Sequence, residues 1–151
     1  MGQAISNIAL IEPTVNAECL TTEIFWQIRA SLPFLATAVK EAGFQCRVFC
    51  EELVSLETRY EKLAKDYSCY GISVTINTIE RSLEIARKLK ELNPSAPIIF
   101  GGMVAAHFAS KLLEVGDYCI TGRGEIVLPK LITAINEGEE ISDITGLTYV
   151  T

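Results

Sequence analysis

The sequence predicts an α/β protein built on a flavodoxin-like (Rossmann-like), doubly wound parallel sheet. Three observations carry that expectation. Short apolar runs alternate with amphipathic stretches along most of the 151 residues. These runs have no polar side, as expected of strands covered on both faces. Two of them stop at glycines before a helix-like pattern: Ile98-Ile99-Phe100-Gly101-Gly102, and Asp117-Tyr118-Cys119-Ile120-Thr121-Gly122-Arg123-Gly124-Glu125. Alternation at this rhythm means βαβ units with right-handed crossovers. Five such strands suit the order 2-1-3-4-5, and a C-terminal segment is left over as an edge strand.

Residues 5–11 read as strand one. Glu12-Pro13 ends it, because proline lacks a donor and pushes the preceding residue away from helix. Residues 14–31 are ambiguous; Phe25, Trp26 and Ile28 suit a helical turn or an apolar lid. The first helix starts near Pro33, a residue favoured in the first turn. Its stripe is Leu35, Ala36, Val39 and Ala42, and Gly43 is the stop. Strand two is 45–49, and 56–64 is a short helix with Leu56, Tyr60 and Leu63 on one side. Strand three is 67–74. Asn77 stands three residues before Glu80, a capping-box spacing, and opens a helix with Ile79, Leu83, Ala86 and Leu89 inward, stopped by Asn93-Pro94. Strand four is 96–100, followed by a helix over 104–115 that uses Phe108 and Leu112. Strand five is 118–121. The last helix runs over about 125–136 with Val127, Leu128, Leu131 and Ile135 inward, and 144–150 is a sixth strand or edge segment.

No repeat or linker divides the chain, which is long enough for one sizeable core. Thirteen basic residues against nineteen acidic give a net charge of −6. With no basic cluster, nucleic acid and anionic membrane surfaces are poor partners. No apolar run reaches the roughly 18 residues of a membrane span. The five cysteines (19, 46, 50, 69, 119) are irregularly spaced. Three of them, Cys46, Cys69 and Cys119, fall in strands, where thiols serve as small hydrophobes. The odd count and the lack of a secretory signal indicate a reducing cytoplasm. Cys46 and Cys50 would stand about 13 Å apart on an extended strand, which favours buried thiols over a metal site. Met1-Gly2-Gln3-Ala4-Ile5-Ser6 fits the loose myristoylation pattern, but reads more simply as the lead into strand one.

In the order 2-1-3-4-5, the loops after strands one, three, four and five share the carboxyl rim, where open α/β sheets bind ligands. They are Pro13-Thr14-Val15-Asn16, Ser73-Val74-Thr75-Ile76-Asn77, Gly101-Gly102-Met103 and Gly122-Arg123-Gly124-Glu125. Loops without β-carbons expose backbone amides and let a flat or phosphate-bearing ligand come close. Each loop also has a plain structural explanation: a turn at Gly101-Gly102, capping at Ser73 and Thr75, and the helix dipole at Glu125. Gly122-x-Gly124-Glu125 is part of a dinucleotide fingerprint, but Val127 occupies the third glycine position and the motif follows strand five. A phosphate loop of the G-x-x-x-x-G-K-[ST] kind is lacking. Ser73 stands where a phospho-receiver needs a carboxylate. His107 is the one histidine; no nucleophile–histidine pair and no metal set suggests catalysis.

Four segments, in order, carry a resemblance: Tyr70-Gly71-Ile72-Ser73-Val74-Thr75; Asn93-Pro94 with Pro97-Ile98-Ile99-Phe100-Gly101-Gly102; Asp117, Ile120, Gly122, Gly124 and Glu125; and Ile144, Gly146, Leu147 and Tyr149. The set resembles the amino-terminal cobalamin-binding domain of radical S-adenosylmethionine enzymes, the group of the anaerobic magnesium-protoporphyrin ester cyclase and many methyltransferases. It covers residues 65–150 well and the first 60 loosely. The resemblance implies cobalamin held at the carboxyl edge, its dimethylbenzimidazole tail running between the Ser73-Val74-Thr75 loop and Gly101-Gly102-Met103. Gly122, Gly124 and Glu125 would line the rim near the corrin, with Pro13 and Thr14 contributing from the first loop. It also implies a parent enzyme using S-adenosylmethionine and a [4Fe–4S] cluster, neither bound by this chain, and a radical barrel domain as covalent partner.

Two departures stand out. The Asp-x-His-x-x-Gly run of methionine-synthase-type domains reads Glu12-Pro13-Thr14-Val15-Asn16-Ala17 here. Cobalamin would therefore be base-off without a histidine ligand. The common Gly-Gly-x-His-Ala-Thr run reads Gly101-Gly102-Met103-Val104-Ala105-Ala106, removing a polar group beside the site. The Cys-x-x-x-Cys-x-x-Cys of a cluster is also missing, so the chain reads as a module excised from a longer enzyme. The alternatives are a cobalamin-free docking or dimerisation domain, and a flavin- or nucleotide-binding flavodoxin-like domain.

Overall fold

The computed structural model describes residues 4–15 and 30–151. Phe25, Trp26, Ile28, Cys19 and the first three residues lie outside them. Six strands form one sheet in the order β2-β1-β3-β4-β5-β6. They are β1 (Asn7–Glu12), β2 (Gln45–Cys50), β3 (Cys69–Ser73), β4 (Ile98–Gly101), β5 (Tyr118–Ile120) and β6 (Leu147–Tyr149). The first five are parallel, and β6 runs antiparallel to β5. This is the expected flavodoxin-like order with the leftover segment as edge strand.

The helices are α1 (Ser31–Glu41), α2 (Tyr60–Asp66), α3 (Ile79–Leu92), α4 (Ala109–Leu112) and α5 (Gly124–Glu137). Strand side chains alternate between faces, and the two faces have separate cores. Ile8 and Leu10 of β1 pack with Leu32, Ala36 and Val39 of α1 and with Leu128 and Leu131 of α5. Ala9 and Ile11 pack on the opposite face with Leu63 of α2, Leu83 and Leu89 of α3, and Leu112 of α4. Tyr70 ties the second core to its amino edge: its hydroxyl donates to the Leu63 carbonyl at 3.2 Å, and the Asn93 amide donates to the Ala64 carbonyl at 3.0 Å. Asn93, part of the segment that carried the resemblance, is thus an architectural residue at the end of α3.

Three local expectations are corrected. The capping pair is Thr75 with Thr78, not Asn77 with Glu80. The Thr75 amide donates to the Thr78 hydroxyl at 2.9 Å, opening a 3₁₀ turn before α3. Residues 104–115 are not one helix but a 3₁₀ turn at Ala105–Phe108 followed by the single turn of α4. Tight bonds from Ala105 to Gly102 and from His107 to Val104 draw the chain sharply off β4, shortening the path back to β5. The second helix begins at Tyr60 rather than 56; Leu56 is fully buried from the preceding loop. No helix among the described residues is long and apolar enough to cross a membrane.

Candidate functional site

At the carboxyl edge, on the face covered by α1 and α5, lies a cavity of about 360 Å³. The strand register explains its floor. Leu10 pairs with Gly71, Gly71 with Ile99, Ser73 with Gly101, and Phe100 with Cys119. Leu10, Gly71, Ser73, Ile99, Gly101 and Ile120 therefore face the same way, toward the cavity. Leu32 and Leu35 of α1 and Leu128 of α5 wall it. Gly101 gives the hollow its depth: a β-carbon there would find nothing nearer than Ile120 Cβ at 3.9 Å, so a longer side chain would enter the cavity. Gly71 acts differently, since the Leu10 methyl lies only 2.6 Å from where its β-carbon would be. Leucine packs over glycine to make a smooth floor.

The mouth is mixed in character. Met103 and Phe34 are exposed large apolar residues at its border, and Thr121 and Ser31 add hydroxyls. Glu125 stands in the first turn of α5, with Arg123 donating to its carboxylate at 2.8 Å. The backbone amide at this helix start, and then the Arg123 guanidinium, hold the Glu125 carboxyl below its usual range. The positive end of the helix favours its charged form.

Of the residues expected at the site, Ser73, Gly101, Gly102, Met103, Gly122, Gly124 and Glu125 line this hollow. Pro13, Thr14, Val74 and Thr75 do not. Val74 is fully buried and faces the opposite core, because it is the next residue after Ser73 and alternation turns it through the sheet. Thr75 is engaged in the turn with Thr78. Pro13 is buried. The Thr14 amide donates to Glu51 Oε2 at 2.9 Å and its hydroxyl bonds to Glu52. Thr14 borders a second groove, with Ile76, Phe108 and Lys111.

Two glycines of the rim have structural reasons for being glycine. Gly102 has φ +117°, and a β-carbon on it would come within 2.4 Å of the Val74 carbonyl oxygen. Gly122 lies against Gly146, whose Cα would be 3.1 Å from an added β-carbon. Nor are the amides of this loop bare: Thr121 and Gly122 both donate to the Gly146 carbonyl, at 2.8 and 3.3 Å. The lead into β6 occupies them. The sequence reading missed the aliphatic floor and the wall from α1. Its signal was available in the alternation of β4, which puts Ile99 on the side of Gly101.

His107, the one histidine of the chain, lies exposed on the 3₁₀ turn after β4 and does not line the hollow. Cys46 and Cys119 are buried, and burial pushes both thiols up to about 11. Cys69 is raised further by the same cause. Such thiols are protonated and inert.

The B12 binding domain family matches residues 29–132, a span running from α1 into α5. The chain is 26% identical over 133 residues to the anaerobic magnesium-protoporphyrin IX monomethyl ester cyclase of Rubrivivax gelatinosus, covering 80% of this chain and 23% of that protein. It is similar in fold to the radical S-adenosylmethionine methyltransferase TsrM from Kitasatospora setae, solved with cobalamin and a [4Fe–4S] cluster bound. The TM-score is 0.76 at 23% identity, over 97% of this chain and 29% of that one. It is likewise similar to the cobalamin-dependent S-adenosylmethionine radical enzyme OxsB, solved with aqua-cobalamin and S-adenosylmethionine bound. There the TM-score is 0.77 at 16% identity, over 97% of this chain and 21% of that one. The chain thus spans about a quarter of the length of these relatives. With the sheet order, the hollow at the carboxyl edge and a match over more than half its length in agreement, this chain belongs to the B12 binding domain family.

Proposed function

We propose that this chain is the single cobalamin-holding domain of a larger radical S-adenosylmethionine enzyme, and that the nucleotide tail of the cofactor occupies the hollow above Gly101. The carrying observation is the space that Gly101 leaves between α1 and α5. At about 360 Å³ it falls within the roughly 300–1,000 Å³ of organic-ligand sites. It suits an aromatic base with its sugar. A corrin macrocycle is too large to enter and would rest across the rim.

The floor of Leu10, Ile99 and Ile120 would bury the base, and Ser73 and Thr121 would offer hydroxyls to the sugar and phosphate. Met103 and Phe34 would give the macrocycle an apolar border. When bound, the cofactor supplies the cobalt chemistry, while the protein supplies binding, orientation and electrostatics. Catalytic residues, S-adenosylmethionine and the [4Fe–4S] cluster belong, in this reading, to a barrel domain beyond this chain. Burial of the tail in the hollow would take its base off cobalt, and neither residues 12–17, which hold no histidine, nor His107, which lies outside the hollow, would offer an imidazole in its place.

The test is retention of hydroxocobalamin through desalting, read by its visible spectrum, for the wild type and two variants. Gly101→Ala fits at ordinary contact distance and should bind nearly as the wild type does. Gly101→Leu should weaken binding by about 10- to 100-fold, the equivalent of 1–3 kcal/mol of overpacking. Gly102→Leu is a poor probe, since it strains the backbone against Val74 whatever the ligand. Equal binding by all the Gly101 proteins would remove the tail from this hollow. No retention by the wild type would leave a docking or dimerisation domain as the better account.

A further inference from the structure

We infer that the hollow selects cobamides by the polarity of their lower base, accepting an apolar benzimidazole and disfavouring a purine. This rests on the reading of the hollow as the nucleotide-tail site. The observation behind it is the chemical uniformity of the floor. Leu10, Leu32, Ile99, Ile120 and Leu128 are all nearly fully buried, and all are aliphatic. Gly101 adds space without adding a polar group.

The backbone under the base is occupied as well. β4 is paired in parallel on both sides, Ile99 and Phe100 with both β3 and β5 and Gly101 with Ser73 of β3, so the backbone beneath the base is engaged within the sheet. Among the described residues, the polar side chains of the cavity are Ser31, Ser73, Thr121 and Glu125. Ser31 and Thr121 are exposed, and Ser73 and Glu125 are half-buried. Hydrogen bonding is thus graded, present at the mouth where a sugar and phosphate would pass and missing where the base would end.

A dimethylbenzimidazole has two methyl groups to bury and, when detached from cobalt, a single ring acceptor to satisfy. Adenine in its place brings an exocyclic amine and further ring nitrogens, and loses the methyls. Polar groups moved from water to an aliphatic floor without partners weaken binding. An apolar pocket rejects such a near-isostere only moderately, so the expected discrimination is roughly 10- to 100-fold.

Equilibrium dialysis of the whole chain against four corrinoids tests this: cobalamin, its adenine-based counterpart, a phenolic cobamide, and cobinamide, which lacks the nucleotide. Cobalamin and the phenolic compound should bind comparably, the adenine compound about 10- to 100-fold more weakly, and cobinamide most weakly. Ile120→Thr, which places a hydroxyl on the floor and shortens the side chain by one methyl, should narrow the gap between cobalamin and the adenine compound; circular dichroism checks that it folds. Equal affinity for cobalamin and the adenine compound, with cobinamide still weak, would overturn the selection while leaving the tail site intact. Cobinamide binding as tightly as cobalamin would overturn both the selection and the placement of the tail. Binding of none of the four would overturn the proposed function and the selection with it.

Discussion

A β-carbon at Gly102 would press to 2.4 Å from the Val74 carbonyl oxygen, whereas one at Gly101 would meet nothing closer than 3.9 Å. Neighbouring glycines thus have unlike physical causes. One satisfies a left-handed turn and a close backbone approach; the other leaves room that none of the described residues fills. The sequence showed that glycines gather at this edge but not which of them faces empty space, because that depends on strand parity and on what Leu35 and Ile120 leave between them. Glu125 offers a residue-scale prediction. Its carboxyl is held below its ordinary value of 4.5 by the α5 amide and by Arg123. A lowered folded pKa gives stability that is complete above the ordinary value and lost as pH falls through the folded one. Glu125→Gln should therefore lie below the wild type in urea midpoint at neutral pH, and the two should converge in acid. A gap that persists in acid would show that the carboxylate charge is not its source.

Between elements, a branched polar tie is made by Arg81. From α3 it grips Glu51 after β2, with further bonds to Glu57 at 3.0 Å and to Glu84 at 3.1 Å. Glu51 also accepts the Thr14 amide after β1. One guanidinium thus holds three segments at the carboxyl edge, and Glu51, with its side chain 7% exposed, depends on it for compensation. Arg81→Met should cost about 3 kcal/mol of unfolding free energy, since it strands a buried carboxylate. Urea denaturation measures it; a loss within about 0.5 kcal/mol would mark the cluster as solvated surface charge. Most elements could be read from the sequence because apolar runs of strand length and helical stripes are local signals. The stretch from 104 to 115 could not. Its helical spacing is genuine, but the climb off β4 over Gly102 tightens it into a 3₁₀ turn and one α-helical turn. Arg81 escaped notice because its partners lie up to thirty residues away in the sequence.

For the molecule as a whole, two cores share one sheet, and the hollow beside Gly101 lies on the α1/α5 face. Ligand filling it should stabilise the entire domain by mass action. Saturation at about 100 times the dissociation constant gives about 2.7 kcal/mol, or roughly 5–10 °C in unfolding midpoint for a chain of this size. Thermal melts with cobalamin should show that rise in the wild type and little of it in Gly101→Leu; an equal rise in both would place the ligand elsewhere. The strand order was legible because parallel α/β topology follows from alternation and handedness. The side of the sheet on which the hollow opens was not, since it requires the register.

That register has a consequence for folding. Phe100 and Gly101 are successive residues that point to opposite sides of β4; the ring of Phe100 nestles under Gly116, and Gly101 stands over the hollow. A slip of one residue would exchange them, swinging a benzyl group into the vacant space and leaving a void beneath Gly116. With the cofactor's tail proposed to occupy that space, its uptake would double as a gauge of strand alignment: a misthreaded molecule would plug its own socket.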